Sequence, residues 1–208
     1  MFKNYTSHST PVVQRDKEYK TAIEKLINCT RELADTRIII VEGNGPRKTF
    51  LDDFGVEVVY TYTNRYNISN YGLKEYLDIQ QVLHQCNIHD DELVIKMTGR
   101  YLLEENSPFL KTLMKMSDDD SRVKFDCLIR YGSSVDLVEI HSDCITGLIG
   151  MRCRYIKQME VNSLQGQIPI ERSWASASQM IPTHKISNFS SIGLGIIIKP
   201  SGQFSKRV

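Results

Sequence analysis

Apolar, β-branched runs of strand length alternate along the chain with segments whose apolar residues recur at helical spacing. This alternation predicts an α/β fold in which a mainly parallel central sheet is flanked by helices. The predicted strands are residues 37–43, 56–63, 92–97, 123–131, 143–151 and 193–200, with a further short strand at residues 2–7. The predicted helices are residues 16–34, 73–86, 107–116 and 170–181.

Size and charge limit the classes of protein to consider. A length of 208 residues suits one domain spanning residues 1–208. The formal net charge of +1 disfavours a nucleic-acid binder, because phosphate neutralisation needs a basic excess. No apolar stretch is long enough to predict a transmembrane segment, and the five cysteines form no CxxC pair. We therefore expect reduced, buried thiols in a cytoplasmic protein.

Polar and charged residues follow several of the predicted strands. In open α/β sheets, ligands bind beyond the carboxyl ends of the strands. Glu42, Thr63 and Lys96 all fall at such ends. This placement predicts a site at one edge of the sheet.

The stretch ELVIKMTGRYLLE at residues 92–104 carries the densest chemistry of this kind. Lys96 and Arg100 offer a point charge and a planar fork for phosphate oxygens, and Gly99 lets the backbone approach a ligand closely. A diphosphate is the ligand that this combination favours. The alternative is that Lys96 extends to solvent and Arg100 forms an intramolecular salt bridge.

Two further segments have a functional and a structural interpretation. Glu42, just before Gly43, is either an acceptor for ribose or base hydrogen bonds or a simple turn carboxylate. Asn70 is either part of an anion-binding helix start or the N-cap of the helix that follows.

Other acidic residues are candidates for a metal site or a general base. The run Asp118–Asp120 is either a divalent-metal site or a solvated loop between a helix and a strand. Asp143 and Glu171, near predicted strand ends or loops, are each a possible general base or a surface charge.

Taken together, these residues resemble nucleotide-sugar glycosyltransferases of the GT-A type. The segment VIKMTGRYLL is similar to the K-x-T-G-R-Y segment of a group that includes WavE-like lipopolysaccharide enzymes and the N-terminal domain of a chlorella-virus capsid-glycan glycosyltransferase. The likeness spans roughly residues 36–180 and includes three weaker segments, which are N-x-G-x-x-E at residues 70–75, T-G-x-x-G-M-R at residues 146–152 and I-E-R-x-x-A at residues 170–175.

The resemblance implies a single GT-A-like, Rossmann-like domain and a role for each matching residue. Thr6 and Glu42 would contact the nucleoside. The remaining donor-binding residues would be Asn70, Gly72, Glu75, Lys96, Thr98, Gly99, Arg100 and Tyr101. Many GT-A enzymes carry a metal-binding Asp-x-Asp where this chain is basic, so either side-chain cations replace the metal or a manganese or magnesium ion binds through other carboxylates.

The resulting prediction is a glycosyltransferase that moves a hexosyl or deoxyhexosyl unit from a UDP- or GDP-linked sugar to a hydroxyl of a glycan or protein-linked acceptor. Glu171 is the first choice for the general base and Asp143 the second. Viral or bacterial surface-glycan synthesis, in the host cytoplasm if viral, is the expected setting. The alternative is a noncatalytic nucleotide- or carbohydrate-binding domain on the same fold.

Overall fold

The computed structural model of the protein describes residues 12–118, 124–132, 143–161, 169–197 and 204–207. Within these ranges the protein has a mixed architecture of helices and strands, which confirms the α/β part of the fold prediction. The helices are α1 (Val12–Thr30), α2 (Tyr71–Gln85), α3 (Pro108–Ser117), α4 (Cys153–Lys157) and α5 (Ile170–Ser178). The strands are β1 (Ile39–Glu42), β2 (Glu57–Tyr60), β3 (Leu93–Met97), β4 (Tyr101–Leu103), β5 (Cys127–Ile129), β6 (Leu148–Arg152), β7 (Ile186–Asn188), β8 (Leu194–Ile197) and β9 (Phe204–Arg207).

The strands form three groups, of which only the largest combines parallel and antiparallel pairs. The largest has the order β3-β6-β5-β7, and the others are β1-β2 and β4-β8-β9. Only β1-β2 and β5-β7 are parallel among the strand pairs of the described residues, whereas β6 runs antiparallel to both of its neighbours. The prediction of a mainly parallel sheet is therefore wrong for this part of the chain.

The error has a physical cause in β6. Four of its five residues are buried, so its sequence is a continuous apolar run. Burial on both faces produces such a run whichever way the strand points, and composition carries no information about direction. The long connections between the strands did not indicate strand direction either.

The central sheet separates two hydrophobic clusters. On β5, Cys127 and Ile129 belong to the first cluster and Leu128 to the second, as expected for side chains that alternate between faces. Helices α2, α4 and α5 cover the first face, while α1 and α3 contribute to the second. The result is a three-layer arrangement with helices on both sides of the sheet.

Side-chain caps explain where two helices begin. Ser107 accepts a hydrogen bond from the backbone N–H of Leu110 at 3.1 Å, and Pro108 occupies the first turn of α3. Asn70 caps α2 in the same way, which places the start of that helix at Tyr71. The first helix was predicted to begin at residue 16, but α1 begins at Val12, so Asp16 lies inside it.

Two predictions are not tested by the described residues. The strand predicted at residues 2–7 lies outside the described residues, and the assignment of residues 1–208 to one domain stays a prediction.

All five cysteines are free, and four of them are buried, in agreement with the expected reduced thiols. None of the helices in the described ranges combines the length and apolarity needed to cross a membrane.

Candidate functional site

The carboxyl ends of β1 and β2 lie at the same edge of the molecule because these strands are parallel. The backbone N–H of Thr61, just after β2, donates to the carbonyl of Glu42 at 2.9 Å and continues the ladder beyond both strands. The carboxylate of Glu42 turns back onto its own loop. Its Oε1 accepts hydrogen bonds from the backbone N–H of Asn44 and from Arg47, each at 3.1 Å. Glu42 therefore organises this loop, and its contact with a nucleoside stays a prediction.

Lys96 points into the layer between the sheet and α2. It follows Val94 by two residues on β3, so both side chains lie on the face that carries the first hydrophobic cluster. Its side chain is only 8% exposed. The ammonium Nζ lies 2.9 Å from Oε2 of Glu75 and donates to Oγ1 of Thr98 at 2.8 Å and to the backbone carbonyl of Thr146. All three N–H donors of the ammonium thus have acceptors within the protein.

Glu75 of α2 is the acidic partner of this lysine. Its second oxygen, Oε1, accepts a hydrogen bond of 3.2 Å from the hydroxyl of Thr98, so Glu75, Lys96 and Thr98 form a closed three-residue circuit. The segments 70–75 and 96–101, which the resemblance identified separately, are joined by these direct contacts.

The start of α2 is built for packing as well as for capping. The side chain of Asn70 accepts from the backbone N–H of Leu73 at 3.1 Å, which is the structural role considered for it from the sequence. Gly72 lies against Ile170 of α5, where a Cβ atom would approach Cγ2 of Ile170 to 2.3 Å. Both residues thus have structural roles, and their donor-binding roles stay predictions.

Glu171 joins the same network from the first turn of α5. Its Oε1 accepts a hydrogen bond of 3.3 Å from the hydroxyl of Thr146, whose carbonyl accepts from Lys96. A continuous path of contacts therefore runs from Glu75 through Lys96 and Thr146 to Glu171.

Residues Thr98 to Tyr101 form a tight turn between β3 and β4. The backbone N–H of Tyr101 donates to the carbonyl of Thr98 at 3.0 Å, and Gly99 lies under the ring of Tyr19 from α1. A Cβ atom on Gly99 would be 2.8 Å from Cε1 of that ring. The glycine permits this close packing, which accounts for it without a ligand.

Arg100 projects from the tip of that turn. Its side chain is exposed and makes no hydrogen bond or ion pair with the described residues. Tyr101 beside it is half-buried, and burial raises the pKa of its hydroxyl, with the charge of Glu75 acting in the same direction and that of Arg100 opposing it. The charge of Glu171 also raises the pKa of Tyr101.

Asp143 is linked to Glu171 through Cys144. Its Oδ1 accepts from the backbone N–H of Cys144 at 2.8 Å, and the thiol of Cys144 donates to the backbone carbonyl of Glu171 at 3.2 Å. Burial, followed by the charges of Asp143 and Glu171, raises the pKa of that thiol strongly. The two candidate bases therefore flank one buried, inert cysteine.

One acid of this edge, Asp78, was missed from the sequence. Its Oδ1 accepts hydrogen bonds from the hydroxyls of the fully buried Thr61 and Thr63, the latter at 2.7 Å. Burial raises the pKa of Asp78; the two threonine hydrogen bonds lower it, and the charges of Glu75 and Glu42 raise it. Asp78 follows Glu75 by three residues, a spacing that puts both on one helix face and could have identified it.

Several predicted site residues fall outside this description. Thr6, Asp119 and Asp120 lie outside the described residues. Within the described ranges, no group of three or more His, Cys, Asp or Glu side chains is arranged to hold a metal ion.

Comparison with known proteins adds little to the geometry. No protein-family model matches the chain, and no curated protein matches it. The chain is similar in structure to A197 from STIV, known from a crystal structure, with a TM-score of 0.41 and 12% sequence identity over 81% of this chain and 93% of that one. A likeness of this size carries no argument about function.

Proposed function

We propose that the chain is a glycosyltransferase that transfers a sugar from a nucleoside-diphosphate-sugar donor to an acceptor hydroxyl. The observation that supports this best is the path of contacts from Glu75 through Lys96 and Thr146 to Glu171. These residues come from four segments of the K-x-T-G-R-Y resemblance, which are far apart in the chain. Their convergence at one edge is what a shared site requires.

The burial of the charged side chain of Lys96 is also informative. Removing a lysine from water costs several kcal/mol unless its partners are well placed, and an apolar pair of similar size would often stabilise the fold as well. A buried Lys96 ringed by polar groups is therefore more readily explained by a site than by stability alone.

The donor diphosphate needs positive charge as the nucleoside diphosphate leaves. Arg100 has an exposed guanidinium without an ion pair among the described residues, and its planar fork suits phosphate oxygens. In this proposal Arg100 makes the direct phosphate contact and stabilises the leaving group.

The acceptor hydroxyl must lose a proton as it attacks the anomeric carbon, if the reaction inverts. Both candidate bases are partly exposed, and Glu171 is the first choice because the hydroxyl of Thr146 orients its carboxylate. The carboxylate of Asp143 holds the backbone N–H of Cys144 and is the second choice. The carboxylate that accepts the proton would do so as the bond from the anomeric carbon to the diphosphate breaks.

A thermal-shift screen with UDP- and GDP-linked sugars, with and without manganese, tests the donor class. A genuine donor at a hundredfold excess over its Kd stabilises the protein by about 2.7 kcal/mol. We expect Arg100→Met to remove at least about half of that stabilisation, because a tenfold weaker donor at the same concentration stabilises the protein by about 1.4 kcal/mol. Lys115→Met is the matched control, because Lys115 is an exposed cation on α3. A wild-type protein that no nucleotide sugar or nucleoside diphosphate stabilises would contradict the proposal.

A noncatalytic nucleotide- or carbohydrate-binding domain is the second candidate. It is favoured by the contacts of Lys96, because all three N–H donors of its ammonium group have acceptors within the protein. Donor binding without release of nucleoside diphosphate, over a panel of glycan acceptors, would support this reading over transfer.

A further inference from the structure

We infer that Lys96 is a positioning residue rather than a phosphate ligand, and that it acts through Thr146 to orient the carboxylate of Glu171. This inference rests on the proposed function and deepens it. It assigns Thr146 a role in the reaction and leaves the phosphate contact to Arg100.

The ammonium group of Lys96 already has a full set of hydrogen-bond acceptors within the protein. An ammonium group has three N–H donors, and those of Lys96 meet Glu75, Thr98 and the carbonyl of Thr146. A phosphate oxygen could bind only by displacing one of these acceptors from a side chain that is 8% exposed. The charge of Lys96 is also balanced by Glu75 at 2.9 Å, so the pair offers a diphosphate no net positive charge.

Hydrogen bonds from residues 96–98 fix the backbone around Thr146. Lys96 binds the carbonyl of Thr146, and the backbone N–H of Thr98 donates to the carbonyl of Gly147 at 2.9 Å. Two consecutive carbonyls are therefore held by one short segment of the chain, residues 96–98. This double attachment restricts the orientation of the peptide that joins Thr146 to Gly147.

The hydroxyl of Thr146 connects this fixed backbone to Glu171. The residue is 9% exposed, and its Oγ1 donates to Oε1 of Glu171 at 3.3 Å. Since a buried hydroxyl needs a partner, the fixed position of Thr146 holds one carboxylate oxygen of Glu171 and leaves the other free to accept a proton. A valine of nearly the same shape would pack equally well but would lack this donor.

The Thr146 pair of variants tests the role in orientation. The rate of nucleoside diphosphate release from UDP-glucose and GDP-mannose is measured for the wild type, Thr146→Val and Thr146→Ser. We expect Thr146→Val to lower kcat at least about tenfold with KM for the donor within about twofold, the pattern of an interaction that matters only in the transition state. Thr146→Ser retains the hydroxyl and should recover most of the rate. A Thr146→Val enzyme with full kcat, or a Thr146→Ser enzyme as slow as Thr146→Val, would overturn the inference.

Titration calorimetry with UDP and GDP tests the role of Lys96 independently of turnover. We expect Lys96→Met to bind within about threefold of the wild type, whereas Arg100→Met loses at least about tenfold, as for a charge-assisted contact. Equal losses in both variants would make Lys96 a phosphate ligand and overturn the inference. If Lys96→Met does not fold, the double variant Lys96→Met/Glu75→Gln, which removes the buried ammonium together with the charge of its partly exposed partner, takes its place.

Failure of the proposed function looks different from failure of the inference. A wild type that binds neither nucleotide and releases neither diphosphate contradicts the proposed function, and this inference with it. A wild type that binds UDP or GDP, together with a Lys96→Met variant that does not, contradicts the inference alone.

Discussion

Gly72 of α2 and Ile170 of α5 are in such close contact that a Cβ atom on the glycine would lie 2.3 Å from Cγ2 of the isoleucine. These two helices carry Glu75 and Glu171, the acids at the two ends of the contact path. The close approach of the helices therefore sets the spacing of the acids. The glycine of the N-x-G-x-x-E segment has a packing function that is required for the site geometry.

Gly72→Ala is expected to destabilise the protein, although alanine is intrinsically better than glycine in a helix by about 1 kcal/mol. Overpacking at the contact with Ile170 costs about 1–3 kcal/mol, and we expect this cost to prevail because the clash involves a branched carbon close to the backbone. Urea unfolding gives the free energy of unfolding of each variant.

A double-mutant cycle supplies the control. Ile170→Ala removes Cγ2 and alone should cost about 2–5 kcal/mol through the cavity it leaves. In the double variant the alanine at position 72 has room. The loss in free energy of unfolding should therefore be smaller than the sum of the losses in the two single variants. Strict additivity would show that the predicted clash is relieved in some other way.

The sequence predicted most elements of the fold because their signals are local. Caps, apolar periodicity and β-branched runs located α2, α3, β1 and β3 within a few residues. Strand direction was not predictable, since the buried run of β6 looks the same parallel or antiparallel. Short elements such as α4 and β7 were missed because three to five residues carry too little periodic signal.

The site was predictable as a set of residues but not as a set of contacts. Glu75, Lys96, Thr98 and Glu171 were each singled out, and the structure brings them together through direct contacts and Thr146. What the sequence could not supply was the pairing. Nothing in the spacing of residues 75 and 96 shows that a carboxylate of one satisfies the ammonium of the other.

Asp78→Asn is expected to stabilise the protein near neutral pH. Burial raises the pKa of Asp78, so the native state holds its proton more tightly than the unfolded chain does. The free energy of unfolding therefore falls as pH rises from the ordinary aspartate pKa of about 3.9 through the raised pKa of the folded protein. An asparagine can still accept both threonine hydrogen bonds without this penalty.

The measurement is urea unfolding of both proteins across a pH series. The stability of Asp78→Asn should exceed that of the wild type at pH 7, and the difference should shrink as the pH approaches 4. Asp53→Asn, the same change at an exposed position, is the control. A difference that does not vary with pH would mean that the carboxylate of Asp78 is not penalised by burial.

The cysteines should differ sharply in reactivity in the folded protein. Burial raises the pKa of Cys127 to about 12 and shifts that of Cys144 strongly in the same direction, so almost no thiolate forms at either at pH 8. Cys86 is less buried, although burial and its hydrogen bond to Glu57 raise its pKa too. We expect iodoacetamide at pH 8 to modify Cys86 first and to leave Cys127 and Cys144 intact.

Peptide mass spectrometry over a time course measures this order. The same protein unfolded in urea is the control, and there all five cysteines should react at similar rates. Modification of Cys144 as fast as Cys86 in the folded protein would show that the contact between Cys144 and the backbone of Glu171 opens readily.

Two isosteric variants separate the candidate bases. If Glu171 takes the acceptor proton, Glu171→Gln should lower the rate of transfer by about 10²–10⁴-fold and leave nucleotide affinity nearly unchanged. Asp143→Asn should have a small effect, because an asparagine oxygen can still accept the hydrogen bond from the backbone of Cys144. Steady-state kinetics, together with calorimetric affinities for UDP or GDP, distinguish loss of chemistry from loss of binding. If Asp143→Asn is the slower enzyme, the two carboxylates exchange roles, and the orientation of Glu171 by Thr146 then serves the fold rather than the proton transfer.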